Sequence, residues 1–351
     1  TSLWGIYIAF IAQIRIGHIL FAGAMTGSMF VAGVSAFYLL KKRDMHFAMR
    51  SLAIAIGFGF IAVLGVGFFG DQNGLVVNQT EKQKMAAIEA VWTTPKAPAA
   101  WSIIAWPDQA QHRNLFALKI PYFLSLIATH SLTGTVTGEK QIIAHNVHRI
   151  QSGLKAYASL VAMRRGDATP AQIATYKENQ SNLGFAFLLK RYDQSMTNVT
   201  PALVQKAANS SIPEVFTLFY SFRIMLLCWG LMLLLMLMGV YFSFKKTLHK
   251  HRWYLWCLLI GIPLPYIASE FGWVVAEVGR QPWTLHGYLP TYFSTSSIDI
   301  ASVAFSLGGF VLFYCALFVV EIFLMFKYAR LGPSSLGDGR YHYEHDKGDE
   351  Q

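Results

Sequence analysis

Five apolar runs punctuate the chain. Ile16 to Leu40 is apolar except for His18; Ser51 to Gly70, Ile224 to Phe244 and Ile300 to Val320 carry no charge; Trp253 to Ala276 carries only Glu270. Each is close to the roughly 20 residues that cross a bilayer. Lipid offers no partners to backbone groups, so such segments are helical. The pattern predicts an all-α polytopic membrane helix bundle with five transmembrane helices. Between the second and third runs lies 71–213, too long to be structureless in a compact protein. Within it, Gln83-Lys-Met-Ala-Ala-Ile-Glu-Ala has helical composition, and His145 to Met163 and Pro170 to Leu189 repeat as amphipathic helices. Arg165-Gly-Asp-Ala-Thr-Pro170 separates those two, and Thr94 to Pro98 and Trp106-Pro107-Asp108 read as turns. The expected organisation is two membrane helices (1–70), a large folded outside loop (71–213), three further membrane helices (214–330) and a tail (331–351).

Charge orients this arrangement. Lys41, Lys42, Arg43 and Arg50 join the first two runs, Lys245, Lys246, Lys250 and Arg252 join the third and fourth, and Lys327 and Arg330 follow the fifth. All fall on one side, which is then cytoplasmic, with the C-terminus inside and 71–213 outside; long loops cross largely regardless of their own charge. In a bacterium this is a multi-pass protein of the inner membrane with a periplasmic loop. Composition agrees: 54% of the 351 residues are hydrophobic and 14% charged. The net charge of +10 sits in clusters flanking apolar runs rather than in one stripe, so no nucleic-acid partner is expected. Cys228, Cys257 and Cys315 lie inside apolar runs with no C-x-x-C, C-x-x-C-H or zinc spacing, and read as inert packing residues. The chain opens on Thr1 without a signal peptide, and reads as part of a longer product.

One stretch departs from the apolar pattern. Glu270-Phe-Gly-Trp-Val-Val-Ala-Glu-Val-Gly-Arg-Gln-Pro-Trp283 closes the fourth run with two carboxylates and an arginine. Glu270, Trp273 and Glu277 fall on one helical face, Arg280 is a turn beyond Glu277, and Pro282 is expected to end the helix. Carboxylates inside a span usually face the protein interior and mark function; the plainer reading is a structural Glu277–Arg280 ion pair. By depth, His18, Met225, Arg223, Glu277 and Arg280 share one layer beneath the loop. Imidazole with thioether is an axial pair for haem iron, and carboxylate is a harder oxygen ligand. Arg15, one turn outward of His18, is placed for a haem propionate, and Gly23-Ala-Met-Thr-Gly27 offers a small-residue face. The plainer readings are a hydrogen-bonded interhelical histidine for His18 and, favoured on the residue alone, core packing for Met225. Arg223 and Met225, two apart, point to different faces.

Gly272-Trp-Val-Val-Ala-Glu-Val-Gly-Arg-Gln-Pro-Trp283 resembles the signature of subunit I of cytochrome bd-type quinol oxidases. Phe222-Arg-Ile-Met225, Gln83-Lys-Met-Ala-Ala-Ile-Glu89, Gly261-Ile-Pro-Leu-Pro265 and Phe326-Lys-Tyr-Ala-Arg-Leu-Gly-Pro-Ser-Ser335 resemble the same family in the same order, over about residues 12 to 345. The resemblance implies that His18 and Met225 ligate the low-spin haem b, that Glu277 ligates the high-spin haem b, and that Arg223 and Arg280 are haem-associated. It implies that Lys84 and Glu89 serve quinol oxidation in the loop, the family's Q-loop, here of the long variety. Trp273 could help bridge haems.

Family members begin with four further helices, which carry another axial histidine and acidic residues of a proton path. His46 lies at the wrong end of the second run to replace that ligand. The chain is therefore expected to be the C-terminal part of subunit I, partnered by those N-terminal helices, by subunit II and by small accessory subunits. The expected activity is quinol:oxygen oxidoreduction: quinol docks near Lys84 and Glu89, Glu89 takes a proton, and electrons pass through the b haems to haem d, where oxygen becomes water. A cyanide-insensitive oxidase with b haem in place of d would read the same. A proton-coupled transporter using Glu270, Glu277 and Arg280, without redox cofactors, is the alternative of another class.

Overall fold

The computed structural model describes residues 4, 5 and 8–332. Most of the tail expected at 331–351, and the end of the Phe326–Ser335 motif, lie outside the described residues. Among the described residues, five helices or helix pairs are long and apolar enough to cross a membrane: α1 (Phe10–Leu40), α2 (Met45–Thr80), α9 (Val215–Phe244), the pair α10 (Arg252–Ile260) and α11 (Leu264–Val278), and α12 (Ile300–Leu331). All five expected spans are present. The helices run past the expected apolar runs, the first starting at Phe10, the third at Val215 and the fifth ending at Leu331, and two differ further in outline. The second continues as helix past Gly70 to Thr80, carrying Asp71, Gln72 and Asn73 beyond its apolar part. The fourth is broken at Gly261–Pro263, because Pro263 has no N–H to continue the ladder and its ring crowds the preceding turn.

The loop is a folded body. It holds α3 (Lys82–Glu89), β1 (Trp101–Asp108), β2 (Arg113–Ile120), α4 (Phe123–Thr129), α5 (Glu139–Arg165), α6 (Pro170–Asn179), α7 (Leu183–Ala186) and α8 (Pro201–Asn209). Trp106-Pro107-Asp108 ends the antiparallel strand β1 instead of forming a turn: Pro107 pairs with Asn114 and Asp108 with Arg113. Pro107 adjoins an irregularity in the register, a position where a strand tolerates the missing donor. The turn is three residues later, where the Asp108 carboxylate accepts from the Gln111 amide at 3.1 Å. The expected helix 145–163 runs from Glu139 to Arg165, and the expected 170–189 helix stops at Asn179 and continues as short 3-10 and α segments to Arg191. Two Thr-Pro pairs start helices as their chemistry dictates. Thr169 closes a capping box with Gln172, Thr200 accepts from the Leu203 amide, and each proline occupies the first helical position.

Chain contacts divide the molecule into two units. The first comprises Thr1–Thr26, Phe60–Leu234 and Pro263–Thr295. Its core joins α3, α5, α8 and the start of α9 through Ile88, Ile142, Ile150, Val204, Leu218 and Phe219. Trp283 enters this core too, 4.9 Å from the Phe185 ring. It comes from β3 (Trp283–Leu285), which pairs with β4 (Leu289–Pro290). The second unit comprises Gly27–Gly59, Leu235–Ile262 and Ser296–Gln351. Here Gly239 lies against the Tyr254 hydroxyl and Ile56, and the Arg43 guanidinium donates to the Arg330 and Leu331 carbonyls at 2.5 and 2.6 Å. Before Leu331, α12 buries no residue. Of the cysteines, Cys228 is buried as a packing residue would be, whereas Cys257 and Cys315 lie on exposed helix faces, outside this chain's core.

Candidate functional site

The first unit holds a buried ion pair where α3, β1 and α9 meet. Glu89, the last residue of α3, is 4% exposed, and Arg223 Nη2 donates to its Oε2 at 2.9 Å. Arg223 spends its other donors on backbone carbonyls. Nε donates to Ile103 at 3.0 Å and Ser102 at 3.2 Å, Nη1 to Ile88 at 2.8 Å and Phe219 at 3.2 Å, and Nη2 also to Ser102 at 2.5 Å. Its guanidinium lies 3.4 Å from the Phe219 ring centre. Burial pushes the Glu89 carboxyl above the ordinary range, and the Arg223 charge pulls part of the way back. A carboxylate so placed has its orientation fixed and its affinity for a proton raised, as a proton acceptor requires.

Lys84 lies elsewhere on α3. Its ammonium is 3.4 Å from Glu81 Oε2, and Arg15 reaches the other oxygen of Glu81 at 3.1 Å. Arg15, expected over a haem propionate, is thus engaged with a carboxylate on the loop side. The Lys84 stem crosses Gly279: a Cβ there would sit 2.8 Å from Lys84 Cε. That glycine, in the Gly-Arg-Gln-Pro-Trp block, is where the end of α11 lets α3 approach. Gln83 beside it bonds His286 Nδ1 at 2.9 Å, and burial lowers the His286 pKa.

His18 packs against Gly70 of α2, whose added Cβ would come within 3.3 Å of the ring, and its Nδ1 is buried with no hydrogen-bond partner. Met225 packs against Gly272 of α11, where a Cβ would be 3.3 Å from the sulfur. An orphaned imidazole nitrogen and an apolar thioether are donors that fit haem iron. Arg223 and Met225 do serve different faces. Glu277 is paired with Arg280 as the plainer reading had it. Helix α11 ends at Val278, one turn before Pro282. Glu270 and Trp273, the latter 63% exposed, face away from the chain's own core.

Sequence reasoning missed Glu81, Gln83, His286 and the carbonyls that hold Arg223. Glu81 and Gln83 flank the Lys84 motif, but the partners of Arg223 are 120 or more residues distant in sequence apart from Phe219 and leave no local signal.

Residues 1–333 match the family model described as cytochrome bd terminal oxidase subunit I. The chain belongs to the cytochrome bd terminal oxidase subunit I family. It is 41% identical over 326 residues to cytochrome bd-II ubiquinol oxidase subunit 1 of Escherichia coli, covering 93% of this chain and 63% of that one. To cytochrome bd ubiquinol oxidase subunit 1 of Bacillus subtilis it is 30% identical over 316 residues, covering 90% and 56%. The chain thus spans about three fifths of the length of these relatives. Its fold is similar to that of the bd oxidase from Geobacillus thermodenitrificans, with a TM-score of 0.61 and 21% identity over 92% of this chain and 59% of that one. Membership in a bd oxidase family with five candidate spans makes this a multi-pass membrane protein and sets aside the transporter reading.

Proposed function

We propose that this chain supplies the quinol-oxidising loop and b-haem ligands of a cytochrome bd-type quinol:oxygen oxidoreductase. The observation that carries the reading is the buried Glu89–Arg223 pair at the end of the family's Gln83–Glu89 stretch. The site residues are Lys84 and Glu89 for quinol, His18 and Met225 for a low-spin haem b, and Glu277 for a high-spin haem b. Arg223, Arg280, Arg15 and Trp273 are auxiliary. Haem, once bound, supplies one-electron transfer and, with haem d, the reduction of oxygen to water. The remaining chemistry belongs to the chain. Lys84 and Gln83 present donors to a quinol oxygen, and Glu89 accepts the proton of the quinol hydroxyl. Arg223 fixes the Glu89 carboxylate and moderates its basicity. The loop 71–213 is periplasmic in this reading and the C-terminus cytoplasmic, so protons leave on the outside. The Glu270–Trp273 face and the apolar surface of α12 are available to haem, lipid, subunit II or accessory subunits.

Glu89→Gln tests the reading. It removes the base and keeps the shape. Quinol turnover of the assembled oxidase should fall roughly hundredfold or more, while the haem spectrum and oxygen uptake from an artificial donor that bypasses the quinol site persist. Unchanged quinol turnover removes Glu89 from the mechanism.

A further inference from the structure

Glu139 is a buried carboxyl that the mechanism above does not use. It opens α5, a helix of 27 residues, and is fully buried, with neither carboxylate oxygen hydrogen-bonded. An acid at the start of a helix is ordinary when it is solvated and interacts with the helix dipole; one sealed in the core without a partner is not. Its surroundings tie it to the quinol stretch. The Glu139 amide donates to the Val91 carbonyl at 2.9 Å and the Lys140 amide to that of Trp92 at 3.0 Å, immediately after Glu89 and Ala90. Ile142 and Ile143, one turn on, share a core with Ala86, Ala87 and Ile88 of α3. On the other side, Lys140 and Gln141 are exposed. Glu139 therefore stands between the buried end of α3 and the loop surface.

We propose that Glu139 relays the proton released at Glu89 to solvent, an inference that rests on the quinol-site reading above. The carboxyl holds one proton at rest. It gives that proton to water on the surface side and takes one, passed through internal water, from protonated Glu89. Glu89 returns to its carboxylate, Glu139 ends as it began, and one proton has moved outward with no other change of bonding. Buried waters satisfy otherwise orphaned polar atoms, and the two unmet oxygens of Glu139 are sites for them. Burial alone raises the Glu139 pKa to about 8. The charged groups on the elements packed against α5 are Lys82, Lys84 and Glu89 of α3, Lys177 and Glu178 of α6, Lys206 of α8 and Lys190 and Arg191 of the 3-10 segment after α7, and none contributes to the shift. The group is protonated at neutral pH and loses its proton as pH rises through about 8.

The experiment compares Glu139→Gln, Glu89→Gln and the unsubstituted chain in the assembled oxidase, with a short-chain quinol as donor across pH 6 to 9.5 (roughly the span over which an acid with this raised pKa titrates). Gln keeps the shape and neutrality of the protonated acid, so a merely structural Glu139 tolerates it. A relay predicts quinol turnover about tenfold down, short of the roughly hundredfold that losing a direct base costs. It also predicts disappearance of the rise in turnover as pH climbs through about 8, where the Glu139 carboxylate able to take a proton becomes populated, with artificial-donor uptake unchanged. Wild-type turnover and pH profile in Glu139→Gln, alongside a dead Glu89→Gln, overturn the relay and leave the quinol site standing. If Glu89→Gln is also fully active, both fail. Should Glu139→Gln not assemble, the unsubstituted oxidase decides: a profile without a break near pH 8 overturns the relay.

Discussion

Arg223 joins the loop to the third span through one guanidinium. Its fork donates to Glu89 and to carbonyls of α3, β1 and α9 at once, a geometry that a lysine point charge cannot reproduce. Arg223→Leu would leave Glu89 buried and uncompensated, at a cost of about 3–5 kcal/mol. The direction of the pH effect follows from the sign of the charge removed. Arg223 favours the carboxylate, so its loss moves the Glu89 pKa further up. The acid limb of quinol kcat/KM then shifts to higher pH, and a profile unshifted in Arg223→Leu would separate Glu89 from the rate. Stability has a related dependence. Glu89 and Glu139 both hold protons in the folded loop to higher pH than when unfolded, so each favours the fold most below its unfolded pKa. For Glu139 that contribution is lost as pH rises from about 4.5 through about 8. Little of this is legible locally. Glu89 and Arg223 stand out only through the family resemblance, and Glu139 lies before the helix expected at 145–163, with nothing local in the sequence to mark it.

Elements, by contrast, declare themselves in proportion to their periodicity. The apolar runs predict all five spans, and Gln83–Glu89 forms the helix its composition favours. The errors lie where local chemistry was ambiguous or tertiary packing decides. Asp71, Gln72 and Asn73 end an apolar run but not a helix, because polar side chains are tolerated once the segment has left lipid; Asp71 there binds His130 at 3.0 Å. Trp106-Pro107-Asp108 has turn residues but lies in a strand, because β2 supplies a partner. The Gly-Arg-Gln-Pro-Trp block reads as a charged helix end, yet its packing role falls to Gly279 and Trp283, one admitting Lys84 and the other buried in the loop core. Gly279→Val would place a branched side chain against the Lys84 stem and the Val275 carbonyl. The expected cost is about 1–3 kcal/mol of stability, with a several-fold rise in KM for quinol and little change in artificial-donor turnover. A KM equal to the unsubstituted value would show that Lys84 does not depend on this close approach.

On the scale of the whole molecule, the described chain is a set of membrane helices with far more apolar surface than they cover for each other. Helix α12 buries nothing within its apolar window, and Glu270 lies on an exposed face of α11. A carboxylate in that position facing lipid would cost a few kcal/mol, so a cofactor or another membrane chain is the consistent neighbour for that face. The sidedness of the assembly rests on the basic clusters alone, which makes it directly testable. Asp167 lies at the exposed tip between α5 and α6, and Lys246 in the exposed link between α9 and α10. With the charge clusters cytoplasmic, Asp167→Cys reacts with a membrane-impermeant thiol reagent in intact spheroplasts, and Lys246→Cys reacts only after the membrane is opened. The native cysteines set a low background: Cys228 is buried, and Cys257 and Cys315 lie in apolar membrane helices where a water-soluble reagent does not reach. Labelling of Lys246→Cys in intact spheroplasts would invert the topology and place the loop 71–213 on the cytoplasmic side.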